Sequence, residues 1–193
     1  MIRRLSIVGL LIVLGLCGCF NTNEPTPKRL GYFRIALPER NYKTYTAECP
    51  FTFEYPQYAT VLRDSGGGHN SCWLNIVFPQ FRCNIYMSYL PVDTDVRAII
   101  AECRKYVVEH EVKASGINER DVENPKDKIY GTIYDIEGNA ASNMQFYLTD
   151  STRNFIRGSL YFFAVPNKDS LEPVVNFVKE DINHLIASFR WRK

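Results

Sequence analysis

Apolar positions along the chain fall mainly in short runs with a period of two, interrupted by two longer stretches with a helical period. From Gly31 onward, aromatic and β-branched runs predict strands at Tyr32 to Leu37, Phe51 to Tyr55, Ala59 to Arg63, Trp73 to Phe78 and Asn84 to Leu90. Pro79-Gln80-Phe81 separates the last two. The period then changes, and Val96, Ile99, Ile100, Cys103, Val107, His110 and Ala114 fall on one stripe of a helix between Thr94 and Ala114. Three more strands are predicted at Ile129 to Ile136, Ser142 to Leu148 and Asn154 to Phe163, with Gly138-Asn139 and Asp150-Ser151-Thr152 as turn residues between them. A second helix follows. Asp169 and Glu172 have capping-box spacing, Pro173 is placed in the first turn, and Leu171, Val174, Val175, Val178, Ile182, Leu185, Ile186 and Phe189 form its apolar stripe. Leu74 to Phe78 and Leu160 to Phe163 are apolar at nearly every position, which suits a sheet covered on both faces. The pattern predicts an α+β single-domain sandwich, a largely antiparallel sheet covered by helices.

The N-terminus is of another kind. Arg3 and Arg4 precede an apolar run from Ile7 to Leu16 that is short for a transmembrane helix but suits the core of a signal peptide. Leu16-Cys17-Gly18-Cys19 closes it in the pattern of bacterial lipoprotein processing, with a small residue before the modified cysteine. Cys19 is the expected lipidation site, because Cys17 would put Leu16 next to the cut. Residues 1–18 are then a signal peptide, 19–30 a polar, proline-containing tether, and 31–193 the folded domain, held to a membrane by acyl chains. Removing the signal takes away two arginines and no acid, so 23 basic against 21 acidic residues become 21 against 21. A neutral domain has no electrostatic reason to bind nucleic acid.

Export also sets the reading of the cysteines. Cys49, Cys72, Cys83 and Cys103 are an even number in an oxidising compartment, and four cysteines allow three pairings. No C-x-x-C occurs, and His69, His110 and His184 are scattered, so neither a redox dithiol nor a metal site is indicated. The glycine-rich stretch from Asp64 to His69 leads into a strand without Lys-Ser or Lys-Thr and reads as a loop, not a phosphate cradle. No Gly-x-Ser-x-Gly elbow is present, Asp93 and Asp95 suit a helix start, and His110 belongs to a core stripe. No enzyme, no cofactor and no catalytic residue is expected.

Polar residues are concentrated between Tyr134 and Phe162, in Gly138-Asn139-Ala140-Ala141-Ser142 and Leu148-Thr149-Asp150-Ser151-Thr152-Arg153. With Gly31-Tyr32-Phe33-Arg34-Ile35, the stretch Cys49 to Pro56, Cys72-Trp73, Pro166 to Ser170 and Ser188-Phe189-Arg190-Trp191, these segments closely resemble the gliding-motility lipoprotein D (GldD) family of Bacteroidota. The resemblance covers essentially the whole mature chain. It implies an envelope lipoprotein associated with gliding motility and type IX secretion, a PsbP-like α/β/α fold, and no established catalytic residues. Cys49 and Cys72 match the family pattern, which together with the compartment implies a disulfide between them. Cys83 and Cys103 do not match it; alternation and helical phase allow them to meet in the core as a bridge or as free thiols.

The expected role is a non-enzymatic assembly or interaction component, with envelope proteins as partners and the periplasm as compartment. The alternative is a small-ligand-binding module. Asn139, Ser142, Gln145, Asp150, Thr152, Arg153 and Arg157 are the candidate interaction surface. Phe177 and His184 form a second candidate patch, since both lie off the apolar stripe centred on Val178. Ser151 and Ser170, each in an Asp-Ser-Thr or Asp-Ser-Leu triplet, resemble O-glycosylation acceptors of Bacteroidota. The lipidation expectation has a direct check: Cys19→Ala leaves an unprocessed or soluble precursor that takes up no fatty-acid analogue in metabolic labelling, whereas Cys17→Ala labels normally.

Overall fold

The computed structural model describes residues 35–64, 66, 68, 72–93, 95–164 and 168–192, without the side chains of residues 168 and 169. Among these residues ten strands run in chain order: β1 (Tyr42–Tyr45), β2 (Phe51–Pro56), β3 (Thr60–Arg63), β4 (Leu74–Phe78), β5 (Cys83–Pro91), β6 (Ala114–Asn124), β7 (Ile129–Gly138), β8 (Ser142–Thr149), β9 (Asn154–Phe162) and β10 (Arg190–Trp191). Helix α1 (Val96–Val108) lies between β5 and β6, and α2 (Lys168–Ser188) between β9 and β10. Strands β3-β4-β5-β9-β8-β7-β6 form one sheet and β1-β2-β10 another, and every pairing is antiparallel.

Alternation along the central strands sends side chains to two separate cores. Cys83, Ile85 and Met87 of β5, Met144, Phe146 and Leu148 of β8 and Leu160 of β9 pack with Phe51 and Phe53 of β2 and with Val174, Val178, Ile182 and Leu185 of α2. Tyr134 and Ile136 of β7, Tyr147 of β8 and Phe155 face the other way, against Cys103 and Val107 of α1. One face of the large sheet is thus covered by α2 and the small sheet, the other by α1. The α+β sandwich is as the pattern predicts. Gly158 has a steric role in it: a Cβ there would stand 2.3 Å from the Phe146 ring, which lies across the glycine on the neighbouring strand.

Local chemistry fixes the element ends. Asp95 caps α1, its carboxylate accepting from the Arg97 N–H at 3.0 Å. The helix stops at Val108, so His110 lies in the following turn and Ala114 opens β6 instead of extending the stripe. Pro173 is the sixth residue of α2, beyond the first turn, where its missing N–H removes a helical hydrogen bond. Its proposed cap, Asp169, has a side chain outside those described. Residues 35–37 are irregular, with Ile35 and Leu37 exposed, so that part of the predicted strand at 32–37 is absent; residues 32–34 lie outside those described. Strands β1, β6 and β10 were not predicted. β6 is an edge strand of eleven residues whose Glu119, Arg120, Asp121 and Glu123 keep that edge charged.

Cys49 and Cys72 form a disulfide, with Cα atoms 5.7 Å apart, and this ties the entry of β2 to the entry of β4. Cys83 and Cys103 are free, buried thiols. They do not meet, because Cys83 points into the α2 core and Cys103 into the α1 core, with the sheet between them. Burial pushes the Cys83 thiol up to about 12 and raises that of Cys103 as well. Closing the Cys49–Cys72 loop, a separation of 23 residues, is worth about 3 kcal/mol in the chain-entropy model. Cys49→Ala/Cys72→Ala should lose about that much in denaturant unfolding, and peptide mapping without reduction should yield the single cross-linked pair plus two thiols that react only after unfolding.

Candidate functional site

The patch predicted on α2 is not a free surface. Phe177 is 7% exposed and packs against Tyr58 and Phe81, with the Arg40 guanidinium 4.2 Å from its ring centre. Beside it, Asp181 is buried and accepts from Tyr42 at 3.0 Å and, through a short contact, from Tyr58. Arg40 stands 3.5 Å from the same carboxylate. Burial raises the Asp181 pKa, against the lowering effect of the Tyr58, Tyr42 and Arg40 hydrogen bonds. His184 stacks on Tyr42 at 3.6 Å and meets Glu54 at 2.7 Å. The segment from Arg40 to Tyr58 covers this face, and Phe177 belongs to the core.

The polar residues between Asn139 and Arg157 separate into three places. Asn139 is exposed at the β7–β8 turn, where Gly138 takes a φ of 96°. Ser142 is fully buried, its hydroxyl donating to the Met144 carbonyl at 3.2 Å, so it contributes to no surface. Roughly 25 Å away, at the far end of the eight-residue β8, Asp150 is committed to its own turn. Its Oδ1 accepts the N–H groups of Thr152, Arg153 and Asn154 at 2.9, 2.7 and 2.9 Å. Thr152 and Arg153 are exposed there and line an open cleft of about 780 Å³ with Lys126, Arg190 and Arg192. Ser151 is exposed in this turn with a φ of 66°, and Ser170 is exposed in the first turn of α2.

Gln145 and Arg157, by contrast, come together. Both project from adjacent strands onto the α1 face and line a cavity of about 260 Å³ beneath that helix. Tyr86, Tyr106 and Tyr161 form aromatic walls, Ser88 and Ser159 supply hydroxyls, and His110 and Glu109 reach in from the end of α1. The Arg157 guanidinium sits 4.8 Å over the Tyr106 ring, and its charge works against burial at Cys103. Burial lowers the His110 pKa, against the raising effect of the Glu109 charge, and so favours the neutral imidazole. Gln145 is 7% exposed, yet its carboxamide has no hydrogen-bond partner among the described residues. Sequence reasoning selected Gln145 and Arg157 but missed Tyr86, Ser88, Ser159 and Tyr161. The signal was there: polar and aromatic residues share one phase of β5 and of β9, and the pairs Tyr86↔Ser159 and Ser88↔Arg157 put them side by side.

A family model described as gliding motility lipoprotein GldD matches residues 22–191. The chain belongs to this family. As a GldD-family member it is a membrane-anchored lipoprotein of the cell envelope; among the described residues no helix is long and apolar enough to cross a membrane. Cys19 lies ahead of the GldD match and outside the described residues. No curated protein matches the sequence. Among solved structures, the solution structure of cyanobacterial PsbP (CyanoP) from Synechocystis sp. PCC 6803 is similar at 10% identity, with 82% of this chain and 97% of that one covered and a TM-score of 0.48. At that likeness it carries no argument about the cavity beneath α1.

Asp150 supplies a check on which of these polar residues are structural. Partial burial pushes its carboxyl up, but the N–H groups of Arg153, Asn154 and Thr152 and the Asn154 carboxamide outweigh that and bring it down to about 2. A depressed carboxylate stabilises fully above its unfolded value of 3.8 and loses that contribution as pH falls to about 2. Asp150→Ala should therefore cost about 2 kcal/mol at neutral pH, and the gap in melting temperature to the wild type should close across this acid window.

Proposed function

We propose that the protein is a non-enzymatic assembly component of the envelope machinery for gliding motility and type IX secretion. In this reading residues 1–18 are removed, Cys19 carries the acyl chains, 19–30 form the tether, and the folded domain faces the periplasm. Family membership supports the setting. Support for binding over catalysis comes from what the ionisable groups already do. Asp150 and Asp181 hold turn N–H groups and buried hydroxyls, and His184 is held between Tyr42 and Glu54.

The observation that carries the reading is that Gln145 and Arg157, two polar side chains of the central strands, line one open cavity beneath α1. The test is recovery of identified gliding and secretion proteins from native membranes with the tagged lipoprotein. Gln145→Ala/Arg157→Ala should keep the wild-type melting temperature and lose most of that recovery. Undiminished recovery would remove the pocket from the contact.

A further inference from the structure

The cavity beneath α1 contains groups that together select a ligand. Arg157 is half-buried, and no described carboxylate stands within salt-bridge distance of it, although Glu109 lines the same space and Arg40, Arg97, Arg104 and Arg190 all have acidic partners. Its guanidinium carbon stands 4.8 Å from the centre of the Tyr106 ring, and the group also reaches the Cys103 thiol, which engages part of its fork of five N–H donors and leaves the rest for a ligand. Diagonally across on β8, where Tyr147 pairs with Arg157 and Gln145 with Ser159, the Gln145 side chain lines the same space, and its carboxamide, with both donor and acceptor capacity, is open to the cavity. The hydroxyls of Tyr86, Ser88, Ser159 and Tyr161 also face the cavity without hydrogen-bond partners among the described residues.

We propose that this pocket binds a single carboxylate borne on a small aromatic or apolar body, with Arg157 and Gln145 gripping the carboxylate and the tyrosine rings enclosing the body. Charge decides the class. Arg157 is the one Lys or Arg of the lining, burial disfavours charge on His110, and Glu109 is exposed at the end of α1, so the site suits a monoanion and leaves a phosphate dianion under-neutralised. Geometry agrees, since the planar fork of arginine matches the two oxygens of a carboxylate. Size sets the limit: 260 Å³ is the liquid volume of roughly nine waters, enough for a ligand such as phenylacetate but not for a nucleotide. The carboxylate could come from a free small acid or from the C-terminal end of a polypeptide, and the test separates the two. The inference rests on the pocket being the contact site, but not on which envelope partner uses it.

The experiment is calorimetric titration of the full processed lipoprotein in detergent with four probes: phenylacetate, phenylacetamide, Gly-Gly-Phe and its C-terminal amide. The acids should bind about tenfold or more tighter than their amides. Acid preference with the tripeptide acid binding tighter than phenylacetate assigns a chain end, and acid preference with phenylacetate binding as tightly or tighter assigns a free small acid. Arg157→Gln should abolish the acid preference, and Arg157→Lys should restore part of it. Gln145→Leu should weaken acid binding severalfold without altering the amides. Equal binding of acid and amide, no binding of either acid, or an acid preference that survives in a folded Arg157→Gln protein would overturn the proposal. Should Arg157→Gln fail to fold, the acid-to-amide ratio in wild type and Gln145→Leu decides. Acid preference can fail while partner recovery still depends on Gln145 and Arg157, so the two readings stand or fall separately.

Discussion

The structure depends on a sheet that cannot leave either face in water. In β8 every residue from Met144 to Thr149 is buried, and alternate side chains enter different cores, so the strand exists only if both sides are covered. Helix α2 and the small sheet cover one face densely. On the other, α1 has thirteen residues and is about 20 Å long, while seven strands extend over roughly 30 Å. One short helix cannot seal that area. Tyrosines fill the remainder, because a ring with a hydroxyl tolerates a half-wet site where an aliphatic side chain gains little. The cavity is thus a consequence of how this sheet is covered.

The denser side has its own polar centre. Asp181 lies in the middle of an otherwise apolar face, and burial alone would make its charge costly. Tyr42, Tyr58 and Arg40 bring hydrogen bonds and a positive charge to it from a part of the chain 123 to 141 residues earlier. Satisfying one carboxylate therefore fixes where the N-terminal part of the domain sits on α2. The same residues bury Phe177 and hold His184.

Much of the scaffold was legible in the sequence because it comes from strong periodicity. The strands from Phe51 to Leu90 and from Ile129 to Phe162, the stripe of α2 and the two-faced sheet all follow from the spacing of apolar residues. What escaped has weak periodicity. Tyr42-Lys43-Thr44-Tyr45 forms a strand only because β2 offers it a partner, and Ala114–Asn124 is polar along most of its length because it is an edge. Phe177 lies off the apolar stripe as its phase predicts, and of the two outcomes open to a large aromatic there, exposure or cover by another part of the chain, it takes the second, under Tyr58, Phe81 and Arg40. Cys83 and Cys103 were each assigned correctly to an apolar face, and only the layer order shows that these are opposite faces. In the pocket, Gln145 and Arg157 stood out as polar residues among apolar strands, whereas the tyrosines around them look like ordinary strand residues until the pairing of β5 with β9 is known.

The Cys49–Cys72 bond has a consequence for a protein exposed to envelope proteases. It encloses β2, β3 and the glycine-rich sequence that leads to β4, a composition at which backbone cleavage concentrates. A cut anywhere inside that ring leaves both fragments covalently joined and both still held by their strand partners. The nicked molecule would keep its lipid attachment and its mass on a non-reducing gel, and only reduction would release the damage as two pieces.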